Sequence, residues 1–335
     1  MKELAVQIIE DADTLAVLET GWWELWRRAP SATPFQSPAW LLPWWSSFSP
    51  GELFVVACRH AERLVGLAPF YIESGVQGRR ILPIGISLSD YLDVLIDPQW
   101  EGPVAHAVVN EIARQRARWD SWALEELRPE AAALALACPD ACCEKIEQQS
   151  ACPVLRLAAG NAFCDVPQGK LRKLRMTRNR LSRLDAQIFV PPQECWREFI
   201  AGLFRLHATR WESSGETGVL KDCRVHAFHL RSVPRLLSAG LLRLYGISIQ
   251  DRLAGAYYGF TDRRLAYAYL TGFDPVFAYG SPGTALVGHA IDEAAREGCR
   301  EFHFLRGQED YKYSWGASDR WNCRRSFRPA GPALP

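Results

Sequence analysis

A polar loop toward the end of the sequence carries the side chains best suited to acid–base chemistry. It reads Arg306-Gly-Gln-Glu-Asp-Tyr-Lys312 and begins where a predicted strand ends, the usual place for ligand contacts in open α/β sheets. Glu309 or Asp310 is a candidate base, and Tyr311 a candidate proton donor. Arg306 or Lys312 is a candidate partner for a phosphate or carboxylate. The alternative is a loop in which these cations simply pair with surface acids.

His207 is the best single candidate for a general base. It lies on the apolar face of a predicted helix over 194–211, and a half-buried imidazole suits proton abstraction. A core histidine hydrogen-bonded to a carbonyl fits the same pattern. The face consists of Trp196, Phe199, Ile200, Leu203, His207 and Trp211, and Trp211 is a candidate substrate contact.

A glycine-containing loop, Tyr279-Gly-Ser-Pro-Gly-Thr284, precedes another predicted helix. Ser281 is predicted as its N-cap and Pro282 as its first residue, and Gly298 ends the helix. Free N–H groups at a helix N-terminus hold anions such as pyrophosphate, so Tyr279, Gly280, Ser281, Gly283 and Thr284 form a candidate anion site. An ordinary turn fits the same residues.

Two further segments are candidates for acceptor contacts. Asp90 and Tyr91 stand at the polar start of a predicted strand, where Ser89 fits equally well as a capping residue. A basic helix over 169–185 suits an anionic acceptor or membrane phosphates, although such a helix is also a common solvated connector.

Strands and helices must position these residues. In the first half, we predict strands at 3–10, 53–59, 64–72, 80–86, 89–97, 121–127 and 153–158 and helices at 11–28, 103–118 and 129–137. In the second half, strands at 242–249, 253–260 and 265–273 form a meander. The loop, the helix and a strand from Arg300 follow it. This order predicts a mixed α/β fold.

One local repeat indicates two related halves. Glu62–Ala68 and Asp251–Tyr257 share a turn acid, Arg-Leu and a strand glycine, and a loop, a helix and a strand follow later in each half. We therefore predict two similar domains, at 1–160 and 161–335.

Composition excludes several classes of protein. The 335 residues are 48% hydrophobic and 23% charged with a net charge of +1, so we expect no nucleic-acid partner. The cluster Cys138, Cys142 and Cys143 matches no zinc pattern, and we expect no metal. Acidic residues interrupt the first eleven positions, and no apolar run reaches the ~20 residues of a membrane span. We therefore expect a cytoplasmic protein without a transmembrane segment.

Several motifs together resemble the GNAT acyltransferase fold, and in particular FemAB-like and CelD-type (cellulose biosynthesis) proteins. They are Leu206–Trp211, Arg252–Gly255, Ser281–Gly283, Phe302–Gly307, Tyr311–Lys312 and Trp315–Gly316, with Phe35–Trp40, Gly66–Pro69 and Ser89–Asp93 in the first half. The resemblance implies two tandem GNAT-like domains, each a mixed, mostly antiparallel sheet flanked by helices, the first of them degenerate.

The resemblance also implies an activity. An acyl group, acetyl or longer, moves from acyl-CoA at Tyr279–Thr284, with Arg306 beside it, to an amine or hydroxyl of a small or saccharide acceptor in the cleft between domains. Two departures weaken the match: the phosphate loop lacks its leading Gln or Arg and contains Pro282, and His303 replaces a frequent Asp. The alternatives are a FemAB-like transferase using aminoacyl-tRNA and a binding protein without catalysis.

Overall fold

The computed structural model describes residues 4–158, 162–213 and 222–330, and the side chains of 209–213 lie outside the description. The described residues form two compact units. Unit 1 contains those up to Ser150 and those from Trp321 onward, and unit 2 contains those from Ala151 to Arg320.

Unit 1 is a mixed sheet flanked by helices. Its strands follow the order β1-β2-β3-β4-β6-β13-β7, in which β4 and β6 are parallel, and β5 pairs with β3. The strands are β1 (Ala5–Ile9), β2 (Glu52–His60), β3 (Arg63–Gly75), β4 (Gly78–Pro83), β5 (Leu95–Ile96), β6 (Ser121–Leu127), β7 (Cys142–Arg156, up to Ser150) and β13 (Ser318–Pro329, from Trp321). The helices are α1 (Ala12–Val17), α2 (Glu19–Arg28), α3 (Pro38–Phe48) and α4 (Glu101–Arg114).

A helix on the sheet builds the core of unit 1. The apolar stripe Val104, Val108 and Ile112 of α4 is buried with residues of β2 and β3 such as Phe54 and Val65. Burying such a stripe is the main stabilising contribution of an amphipathic helix.

The chain's last strand returns to unit 1. Cys323 and Phe327 of β13 lie opposite Leu127 and Trp122 of β6 in an antiparallel register. Arg325 also donates from Nη2 to Leu136 O at 2.7 Å. The chain therefore passes from unit 1 to unit 2 after residue 150 and returns to unit 1 at residue 321, whereas we predicted a single boundary after residue 160.

Three elements of unit 1 differ from their prediction. The helix over 129–137 is only a 3-10 turn, because Ala132 N–H and Ala133 N–H donate to the Asp93 carboxylate at 2.9 and 2.8 Å. The strand over 89–97 reduces to β5. The segment 11–28 is helical as predicted, but it is divided at Leu18 into α1 and α2.

Unit 2 is a second mixed sheet flanked by helices. Its strands follow the order β7-β12-β11-β10-β9-β8, antiparallel except for β11 and β12. The strands are β7 from Ala151, β8 (Gln187–Phe189), β9 (Leu242–Ile249), β10 (Arg252–Asp262), β11 (Leu265–Phe273) and β12 (Glu301–His303). The helices are α5 (Gln168–Ser182), α6 (Trp196–Ser213), α7 (Cys223–Ser238), α8 (Pro282–Arg296) and α9 (Asp310–Tyr313). The predicted fold class, a mixed α/β sheet flanked by helices in each half, is confirmed.

Close packing joins α5 to α8 in unit 2. Leu174 and Leu181 of α5 share a buried core with Leu286 and Ile291 of α8. A methyl group at Gly288 would lie only 2.7 Å from Leu174 Cδ1, so the absence of a side chain at Gly288 allows this approach without a shift of Leu174.

Candidate functional site

Two parallel strands of unit 2 pair briefly and then separate. β11 and β12 are in register only from Leu265 with Glu301 to Tyr267 with His303. Phe304 N–H then donates to Pro153 O at 2.9 Å, so the chain after β12 follows β7 while β11 continues to Phe273. The separation leaves room beside the second half of β11.

A cavity of about 330 Å³ lies beside this part of β11. Strand β11 contributes Thr271 and Phe273 to its lining, and Tyr311 and Trp315 come from the segment after β12. The start of α8 and its loop contribute Ala278, Ser281, Pro282, Gly283, Thr284 and Val287, and α5 contributes Lys170. The cavity therefore brings together four predicted residues: Ser281, Gly283, Thr284 and Tyr311.

The start of α8 offers fewer amide donors than the sequence predicted. Ser281 has a left-handed φ of 52°, makes no capping bond to α8, and donates its hydroxyl to Ala278 O at 3.4 Å. Ser281 therefore occupies the predicted N-cap position, but its hydroxyl does not cap the helix. Thr284 N–H donates to Ser281 O at 3.0 Å, and Pro282 has no N–H. Among the described residues, this leaves the Gly283 N–H without an acceptor at the start of the helix.

The other two loop residues lie outside the lining. Tyr279 is exposed, and Arg180 of α5 stacks on its ring at 4.7 Å and donates to its carbonyl at 3.4 Å. Gly280 packs on Leu181, whose Cδ2 would be 3.0 Å from a methyl group there. The basic helix therefore runs beside the loop.

Lys312 holds the polar loop together. Its ammonium donates to Leu305 O at 3.2 Å, Arg306 O at 2.6 Å and Gly307 O at 3.1 Å. It also pairs with Glu309 at 2.9 Å, and the residue is 2% exposed. Leu305 and Gly307 both have positive φ, so these contacts fix an unusual backbone path. Neither Lys312 nor Glu309 lines the cavity, and Arg306 is likewise outside it.

Tyr311 is the loop residue that reaches the cavity. Its ring meets that of Phe304 edge-on, with 6.2 Å between centroids. A phenol in this position is able to donate a proton to a ligand in the cavity.

His207 lies on α6 next to β11. A methyl group at Gly272 of β11 would be 2.9 Å from His207 N, so the helix and the strand are in direct contact there. The His207 side chain is half-buried, as its apolar face predicts, and it is outside the cavity lining. The Trp211 side chain falls outside the described residues.

The two candidates from the first half belong to unit 1. Tyr91 is 1% exposed, and its carbonyl accepts from Gln36 Nε2 at 2.8 Å. Asp90 is half-buried, and its carbonyl accepts from Asn322 Nδ2 at 3.0 Å. These contacts fit a role in packing, and substrate contact stays a prediction for both.

His303 anchors β12 to the chain that follows. It is fully buried and forms a 3.0 Å hydrogen bond with Glu301, which also accepts two bonds from Arg320. The hydrogen bond from His303, together with those from Arg320, outweighs burial and lowers the pKa of Glu301 to about 2. The arrangement is a structural ion pair of unit 2.

Lys170 is the cavity residue that the sequence reasoning did not single out. It belongs to the basic helix, but the buried positions of α5 are Lys170, Leu174, Thr177 and Leu181. The spacing of four, three and four residues places Lys170 on the same face of the helix as the buried leucines. A lysine on an apolar face was therefore the sign in the sequence that this residue is buried.

The described ranges were searched for metal-binding groups and for membrane-spanning helices. They contain no group of three His, Cys, Asp or Glu side chains placed to hold a metal ion. They also contain no helix with the length and apolar character needed to cross a membrane.

Sequence comparison points to one known domain. Residues 169–313, less than half of the chain, match the family model for the acetyltransferase (GNAT) domain. No curated protein matches the chain in sequence. The predicted GNAT resemblance is confirmed for this segment, and the FemAB-like or CelD-type subdivision stays a prediction.

Solved structures show the same fold over most of the chain. FemX has a TM-score of 0.64 at 9% identity and covers 96% of each chain. A protein of unknown function from Bacteroides thetaiotaomicron has a TM-score of 0.62 at 12% identity, covering 96% of this chain and 100% of its own. The C-terminal domain of a candidate lysylphosphatidylglycerol synthetase from Agrobacterium fabrum has a TM-score of 0.55 at 11% identity, covering 95% and 92%. At these identities the similarity concerns the fold alone.

Proposed function

We propose that unit 2 is an acyltransferase and that its cavity is the acyl-transfer site. One observation carries the proposal: the cavity lies where β11 and β12 separate, and the start of α8 lines it within the segment that matches the GNAT model. The donor in this proposal is an acyl-CoA thioester, and the acceptor is an amine or hydroxyl of a small or saccharide molecule.

The lining supports an acyl chain held against apolar walls. Phe273, Val287 and Trp315 supply those walls, and Gly283 N–H points from the positive end of the α8 dipole. Holding donor and acceptor together supplies a large part of the rate in such transfers.

The candidate residues for proton transfer differ in their position relative to the cavity. Tyr311 reaches the cavity and would protonate the leaving thiolate. Glu309 is occupied by its ion pair with Lys312, which favours His207 over Glu309 as the base that receives the acceptor's proton. Lys312 would act as a positioning residue through the three carbonyls it binds.

An aminoacyl-tRNA donor is a second candidate. A single free N–H at the start of α8 is a weak cradle for pyrophosphate, whereas α5 beside the loop exposes Arg172, Lys173 and Arg175. Cations of this kind bind nucleic-acid phosphates. The fold likeness to FemX and to the candidate lysylphosphatidylglycerol synthetase is compatible with this donor.

Binding measurements with a matched pair of glycine variants test the proposal. Gly283 and Gly102 are each the second residue of a helix, but a methyl group at Gly283 would lie 3.3 Å from Phe273 Cδ1, and one at Gly102 meets nothing within 4 Å. We expect calorimetry to show binding of butyryl-CoA to the wild-type protein, weaker binding to Gly283→Ala and unchanged binding to Gly102→Ala.

The two donors give different outcomes. No binding of acyl-CoA at millimolar concentration would exclude it as the donor. Retention of aminoacyl-tRNA on a filter, lost when Arg172, Lys173 and Arg175 are replaced together by Gln, would then support the second candidate. An equal loss of acyl-CoA affinity in both glycine variants would show that the cavity is not the site.

A further inference from the structure

A buried ammonium group lines the cavity. Lys170 is 9% exposed and stands at the start of α5, with Nζ 4.2 Å from the centroid of the Trp315 ring. Trp315 also packs on Gly288 of α8, so a fixed ring supports the lysine from one side. Lys170 and Trp315 both line the cavity.

Among the residues that the structure describes, this ammonium has no anionic partner. The structure shows no hydrogen bond or ion pair from Lys170 Nζ to any described residue, and the described residues that line the cavity include no carboxylate. The charged group that acts on it is another cation, the exposed Lys173. The Trp315 ring offsets part of the cost of burying the charge. A cation taken out of water without a counter-ion is otherwise unfavourable.

The other described residues that line the cavity with Lys170 are neutral. Thr271 of β11, Ser281 before α8 and Thr284 within α8 carry hydroxyls, and Tyr311 of α9 carries a phenol. Burial, with a smaller contribution from Lys173, lowers the pKa of Lys170 to about 8. The lining therefore combines apolar walls, neutral hydroxyls and one positive charge.

We propose that Lys170 is the counter-ion for a carboxylate on the ligand that occupies this cavity. The inference rests on the proposed function, since it assigns the chemical class of the ligand at the same site. The carboxylate would accept a charge-assisted hydrogen bond from Nζ and lie beside the Trp315 ring. Its source is either the end of a dicarboxylic acyl chain on the donor or the acceptor itself.

Two thioesters of equal chain length test the donor as the source. Succinyl-CoA ends in a carboxylate where butyryl-CoA ends in a methyl group. We expect calorimetry at pH 7 to show about 10- to 100-fold tighter binding of succinyl-CoA to the wild-type protein, the range of one shielded charge-assisted hydrogen bond. The ratio falls to about 1 in Lys170→Met and Lys170→Gln, because neither variant keeps a cation that distinguishes the two thioesters. Lys173→Met, the same change on the exposed side of α5, keeps the wild-type ratio.

A second pair of ligands tests a free carboxylate, as on an acceptor. We expect ligand-observed NMR to show that 4-phenylbutyrate binds the wild-type protein more tightly than 4-phenylbutyramide, and that Lys170→Met loses this preference. The two arms identify the source of the carboxylate. They also separate the proposed acyl-CoA donor from the proposed role of Lys170. Absence of all CoA binding would overturn the donor, and the comparison of phenylbutyrate with phenylbutyramide would still test whether Lys170 binds a carboxylate.

The pH dependence requires no variant. A counter-ion must be protonated, so the preference for the charged ligand in the wild-type protein falls as pH rises from 7 to 9.5, whereas a lysine acting as a base would become more effective over this range. The proposal is overturned if wild type and Lys170→Met discriminate equally in both ligand pairs, or if the preference is constant across this pH range.

Discussion

Replacing Lys312 by Met tests whether this residue positions the polar loop. The methionine keeps the apolar stem but removes the ammonium that binds the carbonyls of Leu305, Arg306 and Gly307. Leu305 is 2% exposed, so its carbonyl would lose its bond without gaining water, which costs about 2 kcal/mol. Arg306 and Gly307 are half-buried, and their carbonyls are able to bind water at about 0.5 kcal/mol each.

The expected net loss is therefore about 3 kcal/mol in the free energy of unfolding of unit 2. Urea denaturation followed by tryptophan fluorescence measures it, and hydrogen exchange should localise the loosening to residues 304–313. Lys145→Met is the matched control, because Lys145 pairs with Glu147 at 2.7 Å on the surface with 70% of its side chain exposed. We expect that control to change stability by less than about 0.5 kcal/mol.

Two outcomes would refute this reasoning. If Lys312→Met unfolds within about 0.5 kcal/mol of the wild type, the three contacts do not hold the loop. If stability and ligand affinity are also unchanged while turnover is lost, Lys312 acts on the substrate as a catalytic residue and not through the loop.

Three further predictions concern titratable side chains, two of them buried. Lowering the pKa of Lys170 from 10.5 to about 8 makes its charge cost about 3 kcal/mol of stability at pH 7. Lys170→Met removes that cost but also loses the contact with the Trp315 ring, worth about 2 kcal/mol, so the variant should be more stable than wild type by about 1 kcal/mol. The advantage of the variant should disappear as pH rises from about 8 to 10.5, as urea titrations at several pH values would show. A destabilised Lys170→Met would contradict this. Burial raises the pKa of Asp93 to about 6, because its effect exceeds that of the hydrogen bonds from Ala133, Ala132 and Ser31, which lower it. The stability that Asp93 contributes is therefore fully present below about pH 3.8 and is lost as pH rises to about 6. Asp93→Asn should remove that dependence, and an unchanged slope would count against it. His207→Ala should retain acyl-CoA affinity and lose turnover by about 100-fold if His207 is the base, whereas an unfolded variant in circular dichroism would identify a core histidine.

Local patterns were sufficient to predict the elements around the cavity. The alternation in Leu265–Phe273 corresponds to β11, and Pro282 begins α8 as predicted. Both depend on neighbours in sequence: side chains alternate on a strand, and proline fits the first turn of a helix. These two elements were therefore predictable from the sequence, whereas α7 (Cys223–Ser238), in the same matched segment, was not predicted.

Elements that depend on distant partners were not predictable in this way. Most of the first half of β7 is exposed, so its residues show no apolar alternation, and its pairing with β12 is set by residues almost 150 positions away. The alanine-rich 129–137 has helical propensity, but the Asp93 carboxylate takes two of its N–H groups and fixes a 3-10 turn. Tertiary contacts overrode local preference in both cases.

The two lysines of this site show why a role is harder to predict than a fold. In the sequence, Lys312 follows two acids in a polar loop, and Lys170 is one of several cations in a basic helix. In the structure, Lys312 donates hydrogen bonds to three backbone carbonyls, whereas Lys170 lines a cavity whose described lining contains no acidic residue. A buried cation that its own chain has already satisfied has little left to offer a ligand, and one left unsatisfied is available to bind an anion. That difference favours Lys170 as the residue that selects the ligand and Lys312 as the residue that keeps Tyr311 in place.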